Sequence, residues 1–325
     1  MTDLERRYLR LLSAYPADYR RARGAEIVGT YLDLAAPGRR WPSPADAVDV
    51  LRGGLRQRVR AAGAADLVPG VRLAAVLALL AATSLAGVWT VLELRPPPPE
   101  FGDPAAGPFV SLGIVAWTAW GLAALVHALA PARWTRRTVA LAVLLTLALV
   151  PAAALTGLPR PPLFVLLPQV GLGLVALGAP DGLPAPLRAM PLVAAIGANL
   201  AGTNLLHRHV FAGSYYTWTV VPVLPSAAVV VLGVVVLLGV GLALRGDHRG
   251  GWAVLILLTP VCLLALQPLA GAADGMPSAF SPSWTALAAT AVLVALVGPA
   301  LLPLALALRT RWTRLARPHP GRLPW

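Results

Sequence analysis

Eight apolar stretches recur between about residue 70 and residue 308, separated by short connections rich in Pro, Gly and Arg. They read Val71–Leu94, Pro108–Ala130, Thr138–Gly157, Leu163–Ala179, Ala189–Leu206, Thr217–Leu244, Trp252–Gly271 and Trp284–Leu308. Each can supply the roughly 17–25 helical residues that cross a hydrocarbon core of ~30 Å. The pattern therefore predicts an all-α fold, a polytopic membrane helix bundle of eight transmembrane helices over residues 67–308. The fifth stretch is the weakest, because Gly197, Asn199, Gly202 and Asn204 dilute it. Dropping it would put the basic tail, residues 309–325 with Arg309, Arg311, Arg314, Arg317 and Arg322, outside the cell. That conflicts with the preference of Arg for cytoplasmic connections, so eight spans are retained.

The periodicity changes before residue 67. Thr2 and Glu5 stand at capping-box spacing, each able to satisfy the other's free backbone donor. Leu4, Tyr8, Leu11 and Tyr15 then form one apolar stripe, at the spacing of a helix. A second helix is expected from about Ala17 to Ala36, burying Tyr19, Ile27, Tyr31 and Leu34 and stopped by Pro37-Gly38. A third opens at Ser43-Pro44, an N-cap followed by proline at the first helical position. It is expected to bury Val48, Leu51, Leu55 and Val59. Residues 1–66 thus read as a small three-helix module with a marginal core, one that leans on the membrane face, a second copy or a protein partner.

Charge fixes the orientation. All but Arg95, Arg160 and Arg208 of the 27 basic residues fall on one side when the amino terminus is placed inside, and every one of the 27 is Arg. Both ends are therefore expected in the cytoplasm, in a cell membrane. Trp89, Trp218 and Trp284 then fall at outer ends and Trp134, Trp252 and Trp312 at inner ones, at headgroup level. The composition, 57% hydrophobic and 13% charged, carries roughly half the charge of a soluble domain. A net charge of +13 points to nucleic acid only when it clusters on one accessible face. Here it sits at helix ends, so the lipid bilayer, not nucleic acid, is the implied partner. Arg52, Arg56, Arg58 and Arg60 precede the first span. They suit either recognition of anionic lipid or ordinary retention charge, and the two are compatible. The charged, helical start leaves no cleavable signal to expect, and the first membrane helix serves as an anchor.

The amino-terminal residues carry a resemblance. Leu4-Glu5-Arg6-Arg7-Tyr8, Leu11-Leu12, Pro16, Tyr19-Arg20 and Gly24-Ala25-Glu26-Ile27 are similar to a cytoplasmic helical module, as are Leu32-Asp33, Pro37-Gly38-Arg39-Arg40 and Leu51-Arg52-Gly53-Gly54-Leu55. This stretch, roughly residues 3–60, resembles the start of actinobacterial integral membrane proteins related to the HAAS-type and permease-prefix modules. Those modules are often encoded beside PadR-type regulators. The resemblance implies membrane-linked signalling or regulation through a cytoplasmic partner of residues 1–66. In permease-prefix proteins the module precedes an exporter with a large external domain. This chain has only short external connections, so that transport activity is not carried over.

Candidate chemistry is sparse. Cys262 is alone, which excludes a disulfide and a thiolate metal cage. Glu93, beside Arg95, reads as an external acid at a helix end. His127 shares a helical stripe with Trp117, Trp120 and Ala124; it is either a ligand or proton site or a packed interface histidine. His207 and His209 flank Arg208 on an external connection and lack the further ligands that a metal site needs. Gly171, Gly173 and Gly178 lie inside a span, not on a phosphate loop. With Gly197, Ala201, Gly233 and Gly241 they are expected to let helices pack closely. Gln169, Asn199, Asn204 and Gln267 either converge on a polar pocket or make scattered interhelical bonds. Ser84, Ser111 and Ser226 have no neighbouring base in sequence.

Pro222 and Pro225 are expected to break the sixth stretch, while Pro96–Pro99 form a stiff external spacer. No catalytic, cofactor-binding or metal residue is assigned and no cofactor is expected. The chain reads as a non-enzymatic signalling or regulatory membrane protein, with a permease or export component as the alternative.

Overall fold

The computed structural model describes residues 2–36, 38–61, 66–94, 106–207, 215, 220–274 and 282–315. The described chain is helical: α1 (Asp3–Leu11), a 3₁₀ turn (Leu12–Ala14), α2 (Ala17–Asp33), α3 (Pro44–Ala61), α4 (Leu67–Glu93), α5 (Gly113–Leu129) and α6 (Ala132–Thr156). There follow α7 (Leu163–Ala176), α8 (Ala185–His207), α9 (Val220–Ala243), α10 (Arg249–Leu264), α11 (Leu266–Ala273) and α12 (Trp284–Leu315). Two compact units result, Met1–Leu67 with Pro303–Trp325, and Val68–Leu302.

In the amino-terminal module the capping box forms as its spacing requires. Glu5 N–H donates to Thr2 Oγ1 (3.2 Å) and Thr2 N–H to Glu5 Oε2 (3.1 Å). Leu4, Tyr8, Leu12, Tyr15, Val28 and Val50 make the core. This corrects the face expected for α3: Val48 and Leu51 are 63% and 45% exposed, while Leu34 of the second helix also points out. The side chains of Leu55 and Val59 lie outside the described residues.

The inward face of α3 is Asp46, Asp49, Val50, Gly53 and Gly54, at helical spacing but mostly polar or bare. Tyr8 Oη donates to Asp46 (3.1 Å) and Tyr31 Oη to Asp49 (2.6 Å). The two glycines let the helix sit directly on Tyr15 and Ala14, where a Cβ would collide. Arg58 donates to the carbonyls of Ala14 (2.7 Å) and Ser13 (2.6 Å), tying the end of α3 to the 3₁₀ turn. These bonds set it apart from Arg52, Arg56 and Arg60, although all four arginines are exposed.

These bonds make the module sensitive to pH at both ends of the scale. The Ser43 hydroxyl holds the Asp46 carboxyl below its ordinary 3.8. Its contribution to stability is present above that value and is lost as pH falls through the depressed one. Burial, reinforced by the adjacent carboxylates, pushes the Tyr8 and Tyr31 hydroxyls above their ordinary 10.0. Their contribution is complete below 10.0 and disappears as pH rises through the raised values. An alkaline titration of the chain in detergent, read by tyrosine absorbance and circular dichroism, should show late tyrosine ionisation accompanied by loss of helix. Tyr31→Phe should remove one late-titrating group.

In the second unit α4 is the central element, with 61% of its most apolar window buried against 6% for α12. Ala74, Ala78, Ala82 and Ala86 recur every four residues and are buried, a flat ridge that admits close neighbours. Gln169 of α7 donates to Ala82 O (3.0 Å) and Asn199 of α8 to Gly87 O (3.1 Å). Trp117 of α5 lies against Trp89, and Trp252 of α10 covers Gly70. Around this centre α5 packs on α6 and α8, α6 on α7, and α10 on α7 and α9. Among the described residues, four helices are long and apolar enough to cross a membrane: Leu67–Glu93, Arg133–Thr156, Leu224–Ala243 and Trp284–Leu308. The pair α10 and α11 makes a fifth if it is one bent span, while α5 and α7 are apolar but shorter.

Several sequence expectations are corrected. The sixth stretch is not broken, since α9 runs unbroken from Val220 through both prolines. Pro222 falls in its first turn, where the missing N–H has no intrahelical role. The break occurs in the seventh stretch, bent by 70° between α10 and α11. Pro268, third in α11, has no N–H for Leu264 O, and its ring would strike that carbonyl.

Of the small residues, Gly173 does meet neighbours at once, Val143 and Trp120, whereas Gly197, Gly233 and Gly241 face open space. Trp89 and Trp252 are buried in the bundle, so they are not headgroup-level anchors; Trp134 and Trp284 are exposed. The side chains of Trp218 and Trp312 lie outside the described residues, as do Arg95 and the His207–His209 side chains.

Candidate functional site

Two polar assemblies sit at opposite ends of α5. Ser111 and Gly113 lie at its start and His127 near its end, 14 residues and about 21 Å apart at 1.5 Å per residue.

The first assembly corrects the reading of Glu93 as an external acid, because its side chain is 0% exposed. It ends α4 and reaches the chain entering α5. Ser111 N–H donates to Oε2 (2.7 Å), and the Ser111 hydroxyl donates to Oε1 (2.5 Å). The Tyr215 hydroxyl donates to the same Oε1 (2.5 Å). The direction of both hydroxyl bonds is fixed from behind. Ser111 Oγ accepts Gly113 N–H (3.0 Å), and Tyr215 Oη accepts the Trp117 indole N–H (2.9 Å). Neither of those donors can accept in return, so both hydroxyl protons point at the carboxylate.

The carboxylate also sits at the start of α5, where the helix dipole favours negative charge. Gly113 has to be glycine here: a Cβ would lie 2.3 Å from Glu93 Oε1 and 2.6 Å from Pro161. Trp89, Trp117 and Tyr215 wall the group off. Sequence reading missed this cluster because its members stand at 93, 111, 117 and 215, with no local spacing to betray them. Ser111, set aside for want of a neighbouring base, has a carboxylate from α4 as its partner.

The second assembly lies between the end of α5, the start of α6, the 177–184 connection and the start of α8. It encloses a cavity of about 560 Å³ lined by His127, Arg133, Thr135, Asp181 and Arg188 among others. Arg188 donates to the carbonyls of His127 (3.2 Å) and Ala130 (2.9 Å), closing the end of α5 whose last carbonyls lack helical partners. His127 is 3% exposed, and its Nδ1 lies 3.4 Å from Thr135 Oγ1. Its Nε2 has no hydrogen-bond partner among the described residues. The Trp117, Trp120, Ala124 and His127 stripe is buried throughout.

The remaining helix amides do not gather. Gln169 and Asn199 are bonded to different turns of α4, and Asn204 donates to Leu200 O of its own helix (3.0 Å). Gln267 lines a separate, mainly apolar cavity of about 210 Å³ with Phe164, Leu167 and Trp284. Among the described residues no three His, Cys, Asp or Glu come together. No family model, curated protein or solved structure matches the chain.

Proposed function

We propose that this chain is an eight-span, non-enzymatic membrane protein of the cell membrane. Both ends lie in the cytoplasm, and residues 1–66 capture a cytoplasmic regulatory protein. The span count draws support from α8, the weakest stretch. Met190, Val193, Ile196 and Leu200 are exposed along one side of it, as lipid contact requires, while Asn199 bonds α4. Two of the residues that weaken its hydropathy, Asn199 and Gly202, therefore serve packing against α4. The orientation draws support from Arg133, Arg136, Arg137, Arg188, Arg245 and Arg249 at one set of helix ends, the cytoplasmic set under the positive-inside preference.

The observation that carries the partner reading is the outer surface of the module. Its core is closed by Val50 and the tyrosines, yet Leu34, Trp41, Val48 and Leu51 remain exposed. Exposed apolar surface of this kind suits a protein contact. The amino-terminal resemblance makes a PadR-type regulator the partner to try first. Purified regulator should be retained by the full chain in nanodiscs and lost with Val48→Asp/Leu51→Asp, whose exposed sites leave the module folded by circular dichroism. Equal retention by that variant and by a chain lacking residues 2–60 would overturn the assignment.

A permease or export component is the second reading, and Glu93 favours it. A buried carboxylate at the end of a span, without a cation beside it among the described residues, is a position where a proton or metal cation can exchange. Under that reading Glu93→Gln abolishes substrate-coupled proton flux in proteoliposomes while the protein remains folded.

A further inference from the structure

We propose that the cavity between α5, α6 and α8 is a binding site for a phosphate group, taken from an anionic membrane lipid whose acyl chains remain in the bilayer. Four features converge on it. Arg133 and Arg188 line it, and Arg188 is held in place by the His127 and Ala130 carbonyls. A guanidinium has five N–H donors, so that anchoring leaves hydrogens for a ligand oxygen. The helices α6 and α8 both begin at the cavity with no acidic residue in their first turns, and the Pro131 cap of α6 offers no side-chain hydrogen bond. Their first backbone N–H groups and dipoles favour an anion at that point.

His127 supplies the independent indication. It is a buried imidazole lining the cavity, and its Nε2 has no hydrogen-bond partner among the described residues. A buried polar atom of this kind calls for a partner, and a phosphate oxygen or its bound water is the chemistry that the surrounding cations select. The acid lining the cavity, Asp181, is already paired with Arg136 at 3.0 Å and leaves the field positive.

The flanks favour a lipid as the source. Leu129, Leu187 and Met190 are exposed at the adjoining helix ends, and so is Trp134 in the first turn of α6. Arg137 stands 5.0 Å over the Trp134 ring, an arrangement suited to the headgroup level. The volume lies within the roughly 300–1,000 Å³ of ordinary ligand sites. That is room for a headgroup and not for a whole lipid. Assignment to the inner leaflet rests on the topology proposed above, whereas the binding chemistry does not.

The test uses the full chain in neutral detergent, with phosphatidic acid, phosphatidylglycerol or phosphatidylcholine added in mixed micelles and inorganic phosphate as a separate arm. Retained lipid is read by native mass spectrometry and thermal stability by tryptophan fluorescence. Phosphatidic acid should bind and raise Tm, and phosphatidylcholine should not. Arg133→Gln should weaken that binding by on the order of tenfold, as expected for loss of a charge-assisted bond. Arg133 is exposed and makes no hydrogen bond within the described structure, so this variant stays folded even if Arg188→Gln, which uncaps α5, does not. Arg52→Gln/Arg56→Gln should bind as the parent does. Inorganic phosphate that displaces the lipid and protects alone would support the site with a soluble phosphate as its source. Undiminished phosphatidic acid binding by both Arg133→Gln and His127→Gln would overturn the proposal.

Discussion

Glu93→Ala is expected to destabilise the bundle by about 3–5 kcal/mol, the scale of three unmet buried donors and the cavity left behind. The carboxylate is the common acceptor for Ser111 N–H, the Ser111 hydroxyl and the Tyr215 hydroxyl. Both hydroxyls are committed from behind by Gly113 N–H and the Trp117 indole, so neither can turn away freely. Glu93→Gln should fall between parent and alanine. One amide oxygen can still accept two hydroxyls, but the amide nitrogen then faces Ser111 N–H, donor against donor. Gly113→Ala should mimic the alanine variant from the other side, because its methyl would occupy the space of Glu93 Oε1 and Pro161. Thermal unfolding in one detergent, followed by tryptophan fluorescence, checks all three. Trp89 and Trp117 flank the cluster, so their emission should change before the global transition if the end opens first. A parent-like Tm for Glu93→Ala would mean that the cluster is not a clamp.

The second large effect distinguishes glycines in two of the apolar helices. At Gly87 of α4 a Cβ would lie 2.3 Å from the Ala195 carbonyl oxygen of α8, which is backbone and cannot swing aside. Gly87→Leu should therefore push α8 off α4 and lose the Asn199–Gly87 hydrogen bond as well. Overpacking of this kind costs about 1–3 kcal/mol and sometimes more. At Gly233 of α9 nothing lies within 4 Å of the same atom, and Gly233→Leu should change stability by no more than about 0.5 kcal/mol, as for other outward-facing sites. Folded yield after detergent extraction and Tm provide the comparison. Equal losses at both positions would contradict the placement of α8 against α4.

The same pair shows what the sequence could and could not disclose. Hydropathy finds the helices because burial in lipid or in the bundle demands apolar residues either way. For that reason it cannot say which side of a helix faces a neighbour, and Gly87, Gly173, Gly233 and Gly241 look alike until the helices are placed. Local rules succeeded where their physics is local: the Thr2–Glu5 capping box is present, and so is the buried stripe ending at His127. They failed for α3, whose inward face uses Asp46, Asp49 and two glycines. A hydrophobicity count rejects those residues, because Asp46 and Asp49 are tied to the module by tyrosine hydrogen bonds formed across 38 and 18 residues and not by apolar burial. The bend at Ala265 falls beside Pro268, yet a proline alone does not announce a break, since helices pass through Pro151, Pro168, Pro225 and Pro260. The Glu93 cluster and the His127 cavity required tertiary structure, since each joins residues from separate helices and connections.

The account depends on which helix ends face the cytoplasm, because the partner surface and the phosphate cavity are both assigned to that side. The direct measurement places single cysteines in a Cys262→Ala background at Ala105, Leu183 and Ala273, then labels intact cells with a membrane-impermeant maleimide. The eight-span arrangement predicts labelling of Ala105→Cys and Ala273→Cys from outside, with Leu183→Cys labelled only after the cells are permeabilised. Labelling of Leu183→Cys in intact cells would contradict it.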